Sequence, residues 1–366
     1  MSIIITFLAA VLVFGLVITI HELGHFTVAK LCGIQVNEFS IGMGPALCKK
    51  IYKGTQYSLR MLPVGGYVAL EGEESPESKQ AENAADESGE PVIPPEQRTG
   101  CSLNSAPVWQ RILVMVAGAF MNFVLGFVVL IILVAAQNSP ITSRVIYKID
   151  DGALCGQTGL QANDKVIAVN GRRCFVANDM VYELLRTESY QADFTVKRDG
   201  KTVELKNVQF DTWRDDSGET HMTLGFTVYG IKKTPLNVVK EAGCSVLYYG
   251  RIIFTSLLDL VRGRESINDL SGPVGIVSAI GQAASYGWED LFELLALITI
   301  NLGIFNLLPL PALDGGKVVF LLIELITGHA VPENIQGSLT LIAFAALFAL
   351  MIFATYNDIA RLFTGT

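Results

Sequence analysis

Four runs in this chain, residues 3–25, 112–136, 291–310 and 338–356, stay apolar for about the 20 residues that a helix needs to cross a bilayer. Hydrocarbon offers the backbone no partners, so a crossing segment must satisfy its own N–H and C=O groups, and these runs are expected to be helices. Composition agrees. The chain is 51% hydrophobic and 17% charged with mean hydropathy +0.43, against about 25% charged in soluble domains. A fifth run, residues 243–261, contains Arg251 and Asp259 and runs into Arg262 and Arg264. It reads as an amphipathic helix lying at the interface. The first run has no basic residues ahead of it and no small-residue cleavage site, so it reads as a retained span rather than a signal peptide.

The net charge of −8 is concentrated in one place. Residues 71–98 hold nine acids and two bases, and the remainder is nearly balanced. No basic surface for nucleic acid follows from such a chain. The six cysteines are scattered with no C-x-x-C pair, which argues against zinc ribbons and dithiol chemistry. Cys155 and Cys174 fall in one outer segment, and the sequence leaves open whether they pair.

His21-Glu22-Leu23-Gly24-His25 stands at the end of the first run. On a helix, two histidines four residues apart project from one face toward one ion, with the glutamate beside them. That pattern suits Zn²⁺ and a hydrolytic water. A buried glutamate is costly at this depth, and a role for Glu22 as general base accounts for its presence.

A second signature, Asn306-Leu307-Leu308-Pro309-Leu310-Pro311-Ala312-Leu313-Asp314-Gly315-Gly316, ends the third run. Its prolines break a helix and free carbonyls, and its glycines permit close approach. Asp314 is the candidate third metal ligand, leaving a fourth position for water; its plain alternative is a helix cap. For Asp314 to meet the histidines, the first and third runs must point the same way, which holds if residues 243–261 do not cross. Asn122, Asn301 and Asn306 are polar groups within spans. Glue between helices is the ordinary reading of such residues, and Asn306 equally suits holding a substrate backbone or oxyanion. His221 and His329 have no ligand spacing.

Residues 35–70 have strand character around a Lys53-Gly54 turn, and read as a hairpin sheet. Its edge either accepts an extended substrate by strand addition or is simply structural. Residues 75–100 read as a solvated acidic loop. Residues 141–230 read as a β-rich unit, with strands at 145–149, 165–169, 194–198 and 201–205, a turn at Asp199-Gly200 and a helix over 178–187. Lys30, Lys49, Lys50, Lys53 and Arg60 follow the first run, so the positive-inside rule puts that side in the cytoplasm and the β-rich unit outside.

The two signatures together resemble the site-2 proteases, the zinc intramembrane metalloproteases, with the bacterial regulator of sigma-E protease group as the nearest likeness. His21 to His25 matches HExxH and Asn306 to Gly315 matches NxxPxPxLDG. The segments 38–45, 65–67, 271–276 and 356–362 resemble further stretches of that family, and 159–171 looks like part of a single PDZ domain. One departure is Gly118-Ala119 where the family often has Gly-Pro before the asparagine at 122.

The resemblance implies a polytopic α-helical membrane protein with four transmembrane helices, a membrane-associated β-hairpin sheet and an inserted extracytoplasmic PDZ-like domain. The expected organisation is a first span over 1–34, hairpin 35–70, acidic loop 71–107, second span 108–137, PDZ-like domain 141–232, interfacial helical segment 234–286, third span 287–330 and fourth span 337–363. The resemblance implies zinc on His21, His25 and Asp314, Glu22 as base and Asn306 as a substrate contact. It places the protein in the bacterial cytoplasmic membrane, active site toward the cytoplasm, cutting a single-pass membrane protein such as a pre-trimmed anti-sigma factor. The same chemistry would serve remnant signal peptides or pheromone precursors. A scaffold working only through its PDZ-like domain has no need of the four site residues.

Overall fold

The computed structural model describes residues 3–73, 93, 98–187, 189–215, 218–264, 266 and 270–364. Most of the acidic loop lies outside them. The described chain divides into two compact units, one made of Met1–Val129 with Ile253–Thr366 and the other of Leu130–Ile252.

The first unit is helical with one small sheet. Helix α1 (Ile3–Leu31) leads into strands β1 (Val36–Tyr52) and β2 (Thr55–Leu70). Lys53 and Gly54, both at positive φ, make the turn between them, as the sequence predicts. The strands fold on each other so that Phe39 faces both Val68 and Tyr57. One buried core joins Ala29, Ile34, Val36 and Phe39 with Val68, Leu70, Val114 and Leu321. The base of the hairpin is therefore packed into the helices, while its far part leaves Ile41, Met43, Leu47, Leu59, Met61 and Leu62 exposed.

Helix α2 (Val108–Ala136) continues into the second unit, whose short helices are α3 (Leu154–Gln157) and α4 (Ala177–Leu185). Its main sheet runs β10 (Phe226–Ile231), β3 (Ile141–Ile149), β4 (Lys165–Val169), β6 (Gln191–Arg198), β7 (Lys201–Gln209), with β5 (Arg172–Arg173) beside β4 and a separate hairpin of β8 (Asp211–Arg214) and β9 (Thr220–Thr223). Asp199 and Gly200, at φ 48° and 82°, form the expected turn between β6 and β7. Cys155 and Cys174 are both buried in this core as free thiols, which answers the pairing question. Apolar surroundings and nearby Asp179 push the Cys174 thiol up to about 12, so it is inert.

Helices α5 (Pro235–Val261), α6 (Pro273–Tyr286), α7 (Trp288–Asn306), α8 (Asp314–Thr327) and α9 (Glu333–Thr364) complete the chain. The segment 234–286 is two helices, and the first of them, α5, is one of the four helices among the described residues that are long and apolar enough to cross a membrane, with α1, α2 and α9. Its charges are few enough that bilayer-length hydropathy survives. The third span expected over 287–330 is instead α7 and α8, separated by the proline-rich break. Helix α7 starts with Glu289, Asp290 and Glu293 and stops at Asn306, so it falls outside that set of four.

Within the first unit, α8 is fixed by two ion pairs. Arg111 on α2 reaches Glu324 at 2.9 Å, and Lys317 reaches Glu73 beyond β2 at 2.6 Å. At its other end α6 begins at Gly272 and Pro273. Asp358 of α9 accepts the backbone N–H groups of Gly272 and Gly275 at 3.1 and 2.7 Å.

Candidate active site

Helix α1 turns His21 and His25 to the same side, as four-residue spacing requires. Both are buried. Their Nε2 atoms are 3.1 Å apart. Asp314 opens α8, and its Oδ2 lies 3.2 Å from the Nε2 of each histidine. Atoms from two distant parts of the sequence thus converge on one point.

Local sequence explains how Asp314 arrives there. The chain turns sharply after α7, with the N–H groups of Leu307, Leu308 and Leu310 bonded back to Ile304, Phe305 and Leu308. A Cβ on Gly315 or Gly316 would come within 2.3 Å of the carbonyl oxygens of Leu308 and Leu310. Only glycine lets the first turn of α8 fold back on the break.

The three converging side chains fit a zinc ion. Asp314 Oδ2 is buried and makes no hydrogen bond, although two imidazole nitrogens are 3.2 Å away. An unsatisfied buried acceptor costs about 1–3 kcal/mol, more when charged; a bound cation removes that cost. Two histidines and one carboxylate, with a position left for water, form a tetrahedral catalytic donor set.

Glu22, half-buried, follows His21 directly on α1. The second strand of the hairpin, β2, passes close to it: a Cβ on Gly66 would be 3.8 Å from Glu22 Cγ. The sheet anticipated from residues 35–70 therefore borders the glutamate. Asn306 ends α7 half-buried, and its side chain makes no hydrogen bond among the described residues. His221 is paired with Asp215 at 2.9 Å in the other unit, and His329 is exposed.

Helix α2 contributes Val114, which the sequence did not single out, and gives places at the site to Gly118 and Asn122, which it named only as part of a resemblance and as a polar group within a span. Val114, Gly118 and Asn122 recur every four positions and share one face. The Val114 carbonyl accepts from His25 Nδ1 at 2.8 Å. Gly118 faces the rings directly; a Cβ there would stand 2.3 Å from His25 Nε2 and 2.6 Å from His21 Cε1. Asn122, wholly buried, places its amide nitrogen 3.2 Å from His21 Nδ1. The four-residue interval between Gly118 and Asn122 was the available signal.

Bilayer-length helices, one of them carrying both histidines, together with this donor set define a class, the membrane zinc metalloproteases. The chain belongs to peptidase family M50, whose pattern matches residues 9–350 and so takes in His21, His25 and Asp314. It is 30% identical to the regulator of sigma-W protease RasP of Bacillus subtilis over 98% of this chain and 99% of the relative. It is 33% identical to the zinc metalloprotease RasP of Geobacillus kaustophilus, over 96% and 97% of the two chains.

Proposed function

We propose that this protein is an intramembrane endopeptidase cutting single-pass membrane proteins. In this reading His21, His25 and Asp314 hold the zinc, Glu22 is the general base and Asn306 contacts the substrate backbone. The observation that carries it is the convergence of Asp314 Oδ2 on two histidine Nε2 atoms at 3.2 Å with Glu22 next in sequence. Zinc, when bound, acidifies a water and polarises the scissile carbonyl. Glu22 takes the proton of the attacking water and delivers it to the leaving amine. Asn306, whose amide makes no hydrogen bond among the described residues, is read as offering it to the substrate chain. The edge strand beside Glu22 suits an extended, helix-unwound substrate.

The β-rich unit is read as a PDZ-like domain that admits trimmed chain ends or excludes bulky ectodomains. Its support is the β10-β3-β4-β6-β7 order with α4 alongside. A relative named for regulating sigma-W supports a membrane-bound regulator of transcription as substrate, an anti-sigma factor trimmed outside by another protease. The lysines after α1 support a site facing the cytoplasm, and the β-rich unit outside, in a bacterial cytoplasmic membrane.

The test is cleavage of a single-pass membrane substrate, its outer domain removed, by the purified full chain in detergent. Glu22→Gln should retain zinc and lose cleavage by about 10²–10⁴-fold. Equal cleavage by wild type and variant would overturn the assignment.

A further inference from the structure

A metal-binding histidine needs its second ring nitrogen held as a donor, which sets the tautomer and aims the ligand atom. His25 has such a partner in the Val114 carbonyl, 2.8 Å from Nδ1. The corresponding atom of His21 faces only the Asn122 amide, with Nδ2 3.2 Å from Nδ1. In that orientation a donor faces Nδ1, the nitrogen that a ligating His21 itself needs as a donor. The same orientation leaves Asn122 Oδ1 buried without a hydrogen-bond partner.

One half-turn of the amide about its last torsion resolves both. Oδ1 then accepts from Nδ1–H, and the Nε2 lone pair faces the ion. We propose that Asn122 is the positioning residue of the zinc centre, holding His21 in the Nε2-ligating tautomer through its amide oxygen. This inference rests on the ligand set proposed above.

The surrounding contacts fix the amide where it is needed. Asn122 is fully buried, and its own backbone carbonyl accepts from Thr299 Oγ1 of α7 at 3.1 Å. Thr299 is itself fully buried. Helix α7 thus holds α2 at the level where α2 holds His21. Asn122 is the side-chain counterpart of the Val114 carbonyl, and unlike a carbonyl it can be replaced.

The experiment compares zinc affinity by chelator competition in purified wild type, Asn122→Leu, Asn122→Asp and His21→Ala, with the visible bands of the Co²⁺-substituted proteins as a second readout. Leucine matches asparagine in size and cannot accept; affinity should fall about 10–100-fold with altered Co²⁺ bands. Aspartate accepts from Nδ1–H and should restore both. If Asn122 were only packing between helices, a buried charge would be at least as harmful as leucine, so Asn122→Asp no better than Asn122→Leu would overturn the proposal. Wild-type affinity in Asn122→Leu would overturn it as well, while loss of zinc in His21→Ala would keep the ligand set intact. If His21→Ala binds zinc as wild type does, the ligand set itself fails and this inference with it.

Discussion

At the scale of single residues, the site depends as much on what is missing at position 118 as on what its neighbours supply. The two imidazoles rest on bare α2 backbone there, and a Cβ would fall 2.3 Å from His25 Nε2. Gly118→Ala should therefore displace both rings, cost about 1–3 kcal/mol by overpacking, and lower zinc content in the purified protein; metal analysis beside a thermal melt checks it. His21, His25 and Asp314 were legible because each signature has few other uses: helical histidine spacing, and a carboxylate at a proline break. Asn122 stood out only as a polar group within a span, and Gly118 only within a resemblance. An asparagine or a glycine within a span serves ordinary helix packing far more often, and only coordinates show which face it turns.

Individual elements owe their stability to polar contacts that no apolar pattern announces. In the hairpin, Glu38 is 1% exposed and is met by Ser58 and by Arg60 at 2.5 and 2.8 Å. Burial alone would raise its pKa, but hydrogen bonds from Ser58, Arg60 and Tyr67, with the Arg60 charge, more than offset this and hold the carboxyl below its ordinary value. A depressed folded-state pKa means the contribution is complete above the ordinary carboxylate range and is lost as pH falls through the depressed value. Thermal stability should accordingly drop on acidification, and Glu38→Gln should flatten that acid limb. Helix α6 is a second case. Asp358 satisfies two of its leading N–H groups from α9, which supplies a physical reason for two segments, 271–276 and 356–362, that the sequence offered only as resemblances. Asp358→Ala should cost about 0.5–2 kcal/mol, measured as earlier melting or faster proteolysis between α5 and α6.

Across the whole molecule, every residue of the centre belongs to one compact unit, and the β-rich insertion belongs to the other. Replacing residues 141–231 by a short linker should leave zinc stoichiometry near that of the intact chain, while widening the range of substrate ectodomains accepted; loss of zinc in that deletion would contradict the division. The apolar runs and the two hairpin turns made this organisation readable in advance. The crossing elements were harder to choose. Hydropathy alone balances the scattered charges of α5 against the acidic start of α7, and the sequence reading took the second as a span and the first as interfacial. The break after Asn306 was anticipated, but not that it would divide the expected span into separate helices.

The meeting of His21 and His25 with Asp314 has a topological consequence. These residues stand near opposite ends of the chain, with the hairpin, the acidic loop, α2, the β-rich unit and α5 to α7 strung between them. An ion gripped by all three closes nearly the entire polypeptide into a ring. Closure of a long loop is entropically expensive for a free chain, and binding energy released only in the folded state is folding energy. In the proposed ligand set the zinc would be a clasp as well as a reagent, and its loss would remove a cross-link between the first helix and the last third of the chain.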